Sequence, residues 1–145
     1  MKISTKGRYA LRLMVDIAVH SNGGNVPLRD ISSRQGISFK YLEQIIALLC
    51  KVGYIRSMRG PSGGYKLTRE PKDYSVGDIL RVTEGNLAPI SCLDGNGEHC
   101  ERLNQCGTRN FWDGLYHVIN EYIDKYTLED LVNEYNKNQF DDYMI

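Results

Sequence analysis

The chain has 145 residues, 41% hydrophobic and 25% charged, with 18 Lys and Arg against 18 Asp and Glu. That length supports one domain with a real core plus one long accessory element. No run approaches the ~20 apolar residues that cross a bilayer, and the basic start MKISTKGRYA lacks the apolar stretch of a secretory signal. A cytoplasmic location with no membrane partner is therefore expected. In that reducing compartment cysteines serve as metal ligands or redox groups more than as structural disulfides.

The zero net charge conceals an asymmetry. Residues 1–84 carry 14 Lys and Arg against 7 Asp and Glu, a balance of +7, whereas residues 85–145 carry 4 against 11, a balance of −7. Such halves suggest a polyanion-binding segment joined to an acidic segment with other work.

In chain order, Tyr9, Leu11, Leu13, Met14, Ile17 and Ala18 recur at helical spacing until Asn22-Gly23-Gly24 stops the run. Val26-Pro27-Leu28 leads into a brief helix around 29–35, which Gly36 breaks. Ser38 is placed to cap a third helix through Tyr41, Leu42, Ile45, Ile46, Leu48 and Leu49, ended by Gly53. Residues 54–59 and 64–68 then alternate as strands around the turn Gly60-Pro61-Ser62-Gly63, which predicts a β-hairpin. Ser75-x-x-Asp78 resembles a capping box, with Asp in place of Glu or Gln, and opens a helix through Ile79, Leu80 and Val82.

Residues 85–107 read as an irregular stretch rich in Gly, Asn and Cys, and a helix follows from about Arg109 to Lys125. Within it Phe111, Leu115, Val118 and Tyr122 fall at the steps of a coiled-coil seam, and Trp112, Tyr116, Ile119 and Ile123 make a second apolar stripe. One stripe can cover the chain's own domain, and a symmetric dimer most simply covers the other. Phe111, Leu115, Val118, Ile119, Tyr122 and Ile123 are the candidate dimer residues. Thr127-Leu128-Glu129-Asp130 predicts a cap on a short final helix, followed by a polar tail.

The order helix, short helix, turn, helix, hairpin is that of a winged helix-turn-helix. The expected fold is mostly α, of the α+β kind, with a long C-terminal dimerisation helix. Residues 1–84 would form the DNA-binding domain, 85–107 a sensor loop, and 108–145 the dimer helix and tail. The second helix of the turn pair is narrow enough for the major groove, and the hairpin can reach flanking backbone or minor groove.

Ser38, Phe39, Lys40 and Tyr41 open this recognition helix, with Glu43 and Gln44 one turn on. Ser and Lys suit phosphates, Gln suits adenine, and Glu can accept from the cytosine amino group. In the hairpin, Arg59 stands beside the thin tip Gly60, Pro61, Ser62 and Gly63, a shape suited to a narrow, negative minor groove. Lys2, Ser4, Thr5, Lys6, Arg8 and Tyr9 begin the first helix, where amides and cations together favour a phosphate.

Three of the four cysteines share one loop, as Cys92-x7-Cys100-x5-Cys106. A zinc ribbon wants two tight Cys pairs, which this spacing does not provide. A wider spread on a flexible loop can wrap an iron–sulfur cluster, whereas a disulfide would leave one thiol over. Cys50 lies among Ile46, Leu48 and Leu49, where free cysteine behaves as a small hydrophobe. The chain has no Cys-x-x-Cys, His-Glu-x-x-His or Gly-x-Ser-x-Gly, and its three His are scattered at 20, 99 and 117, so no enzyme is expected.

Met1–Ala10, Ile37-Ser38 with Tyr41-Leu-Glu-Gln44, and Arg59-Gly-Pro-Ser-Gly-Gly-Tyr65 together resemble the iron–sulfur cluster regulator (IscR-like) family of bacterial winged-helix transcription regulators. The similarity extends to about Val132, through Thr127-Leu-Glu-Asp-Leu131. It implies a homodimer on double-stranded DNA with a pseudo-palindromic operator, its long helix swapped across the two-fold axis. It further implies that Glu43 sets which operators the clusterless protein accepts and that Arg59 enters the minor groove. It carries the ligand role for a 2Fe-2S or 4Fe-4S cluster to Cys92, Cys100 and Cys106.

The fourth ligand departs from the family pattern. Where cluster regulators often place a His three residues after the last cysteine, this chain has Arg109, and where a related nitric-oxide sensor uses an acid on the first helix it has Arg8. Asp94, Glu98, His99 and His117 are near by sequence, and none is assigned. The tail Asp142-Tyr143-Met144-Ile145 resembles that of the cysteine-metabolism repressor (CymR-like) branch, which needs no cluster and answers to a partner enzyme of cysteine synthesis. That branch typically lacks the loop cysteines found here.

Overall fold

The structure, a computed structural model, describes residues 1–95 and 100–144. Among them, α1 (Thr5–His20), α2 (Leu28–Gln35) and α3 (Phe39–Lys51) are followed by β1 (Ile55–Met58) and β2 (Gly64–Leu67). Then come α4 (Val76–Glu84), α5 (Arg109–Lys125) and α6 (Leu128–Tyr143). The order is that of a winged helix-turn-helix with a long C-terminal helical extension. Among the described residues no helix is long and apolar enough to cross a membrane.

The main core forms where α1 lays Ala10, Leu13, Met14 and Ile17 against Ile31 of α2 and Leu42, Ile45, Ile46 and Leu49 of α3. These residues recur at helical spacing, so each helix presents one apolar stripe inward. One charged side chain enters this core: Asp16 of α1 is buried. It accepts hydrogen bonds from Arg34 Nη2 at 2.7 Å, Arg34 Nε at 3.1 Å and Gln35 Nε2 at 2.8 Å. Arg12, one turn earlier, donates to the Gln35 side chain and carbonyl. The C-terminus of α2 is thereby clamped to α1 just before Gly36, whose φ of 65° turns the chain towards α3. The cap at Ser38 forms as expected, its hydroxyl accepting from the Tyr41 amide at 3.2 Å.

The wing is an antiparallel hairpin in the register Ile55↔Leu67, Arg56↔Lys66, Ser57↔Tyr65, Met58↔Gly64. Val26 adds a one-residue third strand through two 2.8 Å bonds with Tyr65. At the wing's base the Tyr74 hydroxyl donates to the Tyr54 carbonyl at 2.8 Å and accepts from the Arg69 amide at 3.0 Å.

A second, smaller core gathers Val76, Leu80 and Leu87 with Ile3, Tyr116, Ile123 and Tyr126. Arg81 of α4 reinforces it, donating to both Asp124 carboxylate oxygens at 2.8 and 2.9 Å and to Asn120 at 2.7 Å on α5.

Two expectations about helix ends need correction. At Ser75 only the hydroxyl half of a capping box is made, and the Asp78 carboxylate turns to Arg81 instead. The full reciprocal box forms at Thr127 and Asp130. The helix it opens is not short: α6 runs 16 residues to Tyr143. No Gly or Pro interrupts residues 128–143, and Leu131, Val132 and Tyr135 on one side give the first two turns a surface to pack on. Leu128 is fully buried in the main core, so the segment expected to supply the dimer helix and tail also completes the amino-terminal domain.

Removing the Arg34 guanidinium would leave a buried carboxylate short of two donors. Arg34→Ala is expected to lower the unfolding free energy in urea by about 1–3 kcal/mol. The double variant Asp16→Asn/Arg34→Ala should lose less than the sum of the two single changes, because both act on one contact.

Candidate nucleic-acid interface and cysteine loop

The buried stripe of α3 leaves Lys40, Glu43 and Gln44 exposed on its opposite side, with Phe39 and Tyr41 at the flanks. Tyr41 is half-buried, its ring edge-on to Tyr9 of α1 with centroids 5.8 Å apart, and Arg12 lies over the Tyr9 ring. The start of α1 and the start of α3 are joined through this aromatic pair.

Across from α3 stands the wing tip. Gly60 takes a φ of 108° and its carbonyl accepts from the Gly63 amide at 2.9 Å, closing a tight turn. A side chain at Gly63 would run into the Gly60 carbonyl and the Met58 carbonyl, so the tip must stay thin. Asn25 Nδ2 donates to the Ser62 carbonyl at 3.2 Å and steadies it. Arg59, Gly60 and Gly63 share with Phe39 an open groove of about 590 Å³ between α3, the wing and the first turn of α2. Met58 and Arg29 also line it; sequence reasoning missed both. The alternation of β1 put Met58 on one face without saying what that face meets. Arg56 and Lys66 stand opposite one another across the hairpin, a like-charge pair that costs stability unless a polyanion lies against it.

The amino-terminal candidates divide. Lys2, Thr5 and Arg8 line a separate depression of about 550 Å³ with Ile3 and Ser4, and Arg8 is exposed, donating to Thr5. Two of the amides at this end of the chain are already taken. Glu84, last residue of α4, accepts from the Ser4 amide at 3.2 Å, the Ser4 hydroxyl at 2.5 Å and the Gly7 amide at 3.1 Å. Its carboxylate sits at the positive end of α1, and the exposed cations Lys2 and Arg8 flank it. Contact across 80 residues of chain left no local signal for this.

Of the dimer candidates, Phe111 (65% exposed), Leu115, Val118 and Tyr122 form an uncovered stripe along α5. Ile119 is half-buried, and Ile123 turns inward to the second core, where it meets the chain's own domain.

The loop after α4 starts at Gly85 and is rooted by buried Leu87 in the second core, beside Ile3. Cys92 sits exposed on a single turn at Ser91–Leu93, Cys100 is half-buried, and Cys106 is exposed just ahead of α5. All three are free thiols. The Thr108 hydroxyl, 3.4 Å from the Cys106 sulfur, together with backbone bonds holds that thiol below its ordinary pKa. Burial instead pushes the Cys50 thiol up, in keeping with a place against the core.

Three unpaired thiols, one biased towards thiolate, fit an iron–sulfur cluster in donor chemistry. Among the described residues no three His, Cys, Asp or Glu side chains converge into a metal-holding group. Asp94 is bonded to Asn86, His117 lies exposed beside Glu121, and Arg109 reaches Asp113 at 3.5 Å. Glu98 and His99 lie outside the described residues.

Residues 3–134 match the family model Rrf2, described as iron-dependent transcriptional regulator. The chain is 41% identical over 133 residues to the HTH-type transcriptional regulator IscR of Yersinia pestis, covering 92% of this chain and 80% of that one. It is 40% identical over 141 residues to IscR of Pectobacterium carotovorum, covering 97% and 84%. Among solved structures it resembles CymR (YrzC), the global cysteine regulator of B. subtilis, with a TM-score of 0.79 at 36% identity over 92% of this chain and 98% of that one. It also resembles T. potens IscR, with a TM-score of 0.77 at 40% identity over 96% and 91%. These relatives are transcription regulators, not enzymes, and the chain belongs to the Rrf2 family of winged-helix transcriptional regulators.

Proposed function

We propose that this regulator is a cytoplasmic homodimer whose operator binding is modulated by an iron–sulfur cluster held by Cys92, Cys100 and Cys106. One observation carries the reading. The loop bearing the three free thiols is rooted, through Glu84 and Leu87, on the same turn that presents Lys2, Lys6 and Arg8. A change in the loop therefore has a short path to the phosphate-facing residues.

Each part of the chain has a role in this scheme. Ser38, Lys40, Tyr41, Glu43 and Gln44 meet one major groove, and Arg59 with Gly60–Gly63 reaches the adjoining minor groove. A second copy covers Phe111, Leu115, Val118 and Tyr122, and the pair then spans a pseudo-palindrome. A bound cluster supplies a redox-sensitive, thiolate-held tie across the loop. Such a tie regulates only if the DNA-competent conformation holds it with a different affinity from the other. The loop cysteines, Glu84 and the first turn of α1 are the residues through which that difference would act. The operator partner is duplex DNA, and no membrane is involved.

A second reading rests on the tail. The far end of α6 leaves Phe140, Tyr143 and Met144 exposed, and the chain resembles CymR in fold. In that reading the protein represses without a cluster and this end meets a partner enzyme of cysteine synthesis.

Iron analysis separates the two readings. Anaerobically purified protein is expected to carry about two or four irons per chain with matching sulfide, and Cys92→Ala to lose most of it. A colourless protein with under about 0.1 iron per chain favours the tail reading. Arg59→Ala is expected to weaken operator binding by about 1–3 kcal/mol and blunt base preference without moving the urea midpoint, since Arg59 is exposed. In metal-free protein near neutral pH, Cys106 should alkylate faster than Cys50. The Thr108 hydroxyl and backbone bonds raise the thiolate fraction of exposed Cys106 at a given pH, whereas burial lowers that of Cys50. Thr108→Val should slow Cys106 alone, as read by peptide mass mapping.

A further inference from the structure

Two large apolar side chains stand on the basic face without a partner. Phe39 is 47% exposed and Met58 is 48% exposed, and neither belongs to either hydrophobic core. They come from different elements, the first turn of α3 and the end of β1, yet line the same groove. The dimer stripe on α5 does not account for them. Arg29 and Arg59 line that groove too, with Asp30 as an acidic residue in its lining, and exposed Lys40 follows Phe39 in α3. With cations on both sides outnumbering the one acid, the groove favours a polyanion as its occupant over an apolar peptide.

On duplex DNA a phosphate gains nothing from an apolar wall. The apolar feature that base edges offer in the major groove is the C5-methyl of thymine, and phenyl groups are among the side chains that contact it. Phe39 is well placed for that feature. It directly follows the N-cap Ser38, and the N-terminal residues of a recognition helix are those that reach base edges. It also lies one helical turn before Glu43, on the same side of α3. Small neighbours leave the approach open, with Ser57, Gly60 and Gly63 on the wing side of the groove.

We propose that Phe39, backed by Met58, reads a thymine methyl at the wing-side edge of the operator half-site, so that this position is specified by burial of a methyl group rather than by hydrogen bonds. The inference rests on the DNA-reading function above and adds a recognised group to it. Loss of one methyl removes about 0.8 kcal/mol of apolar burial, which is about a fourfold loss of affinity.

The test is a methyl-deletion scan. An operator selected from a pool of random duplexes is remade with deoxyuridine in place of each thymine in turn, and affinities are measured at fixed salt. Wild-type protein is expected to lose about fourfold at one position in each half-site. Phe39→Ala should bind the thymine operator more weakly and show no further loss on the uracil one, whereas Phe39→Leu should keep part of the difference. Arg59→Ala should bind more weakly yet still distinguish thymine from uracil, and unchanged urea midpoints would show that the exposed substitutions leave the fold intact. Equal affinity of the wild type for every uracil operator overturns the inference and leaves DNA reading standing. So does a Phe39→Ala variant that still discriminates, or one that loses affinity equally on all duplexes, which would place the ring against deoxyribose. A wild-type protein that retains no duplex above nonspecific level removes the DNA reading, and this inference with it.

Discussion

The position of the recognition helix depends on one buried carboxylate. Asp16 sits in the core of α1 with Arg34 and Gln35 from the end of α2 closed around it. A charge taken out of water is tolerated only when its oxygens are satisfied, so the pair has one good geometry rather than many. That geometry sets the end of α2, the left-handed turn at Gly36 and, through Ser38, the direction in which α3 leaves. An apolar contact at the same place would be as cohesive but would not fix the rotation of α2 about its own axis. The presentation of Lys40, Glu43 and Gln44 is downstream of Asp16, although none of them touches it.

The second half of the chain is tied down by polar contacts of the same kind. Arg81 forks onto Asp124 and Asn120, holding α5 against α4, and Glu84 reaches back to Ser4 and Gly7. Both belong to α4, the last helix before the cysteine loop. α4 is therefore the junction where the amino-terminal turn, the loop and the extension helix α5 meet. The charge asymmetry of the sequence takes on a spatial meaning here, since Arg81 of the basic half pairs with Asp124 of the acidic half.

Much of this was legible beforehand, and the parts that were not share a physical cause. The first three helices announce themselves by apolar spacing, and the turn residues Gly36, Ser38 and Gly53 by the conformations they permit. The hairpin is visible because its turn needs the backbone freedom of glycine at Gly60 and the space left by glycine at Gly63. Val26 was missed as a strand because a single paired residue has no period. The length of α6 was missed because residues 133–142 are mostly polar and show little apolar period, so packing through Leu128, Leu131 and Val132 rather than pattern carries it. Glu84 and Met58 were missed because their roles lie in contacts with residues far away along the chain. At the cysteine loop, spacing indicated which residues belong together but not their arrangement in space.

Gly7 carries a consequence for how such a chain can diverge. The Glu84 carboxylate and Ile3 occupy the space where a side chain at position 7 would stand. Positions 7 and 84 are therefore coupled: a methyl group at the first displaces the carboxylate, and the Ser4 and Gly7 amides it had occupied become free for another anion. A descendant with Ala at 7 and a short residue at 84 would have traded an internal anchor for an external binding site, in two steps and without altering the recognition helix.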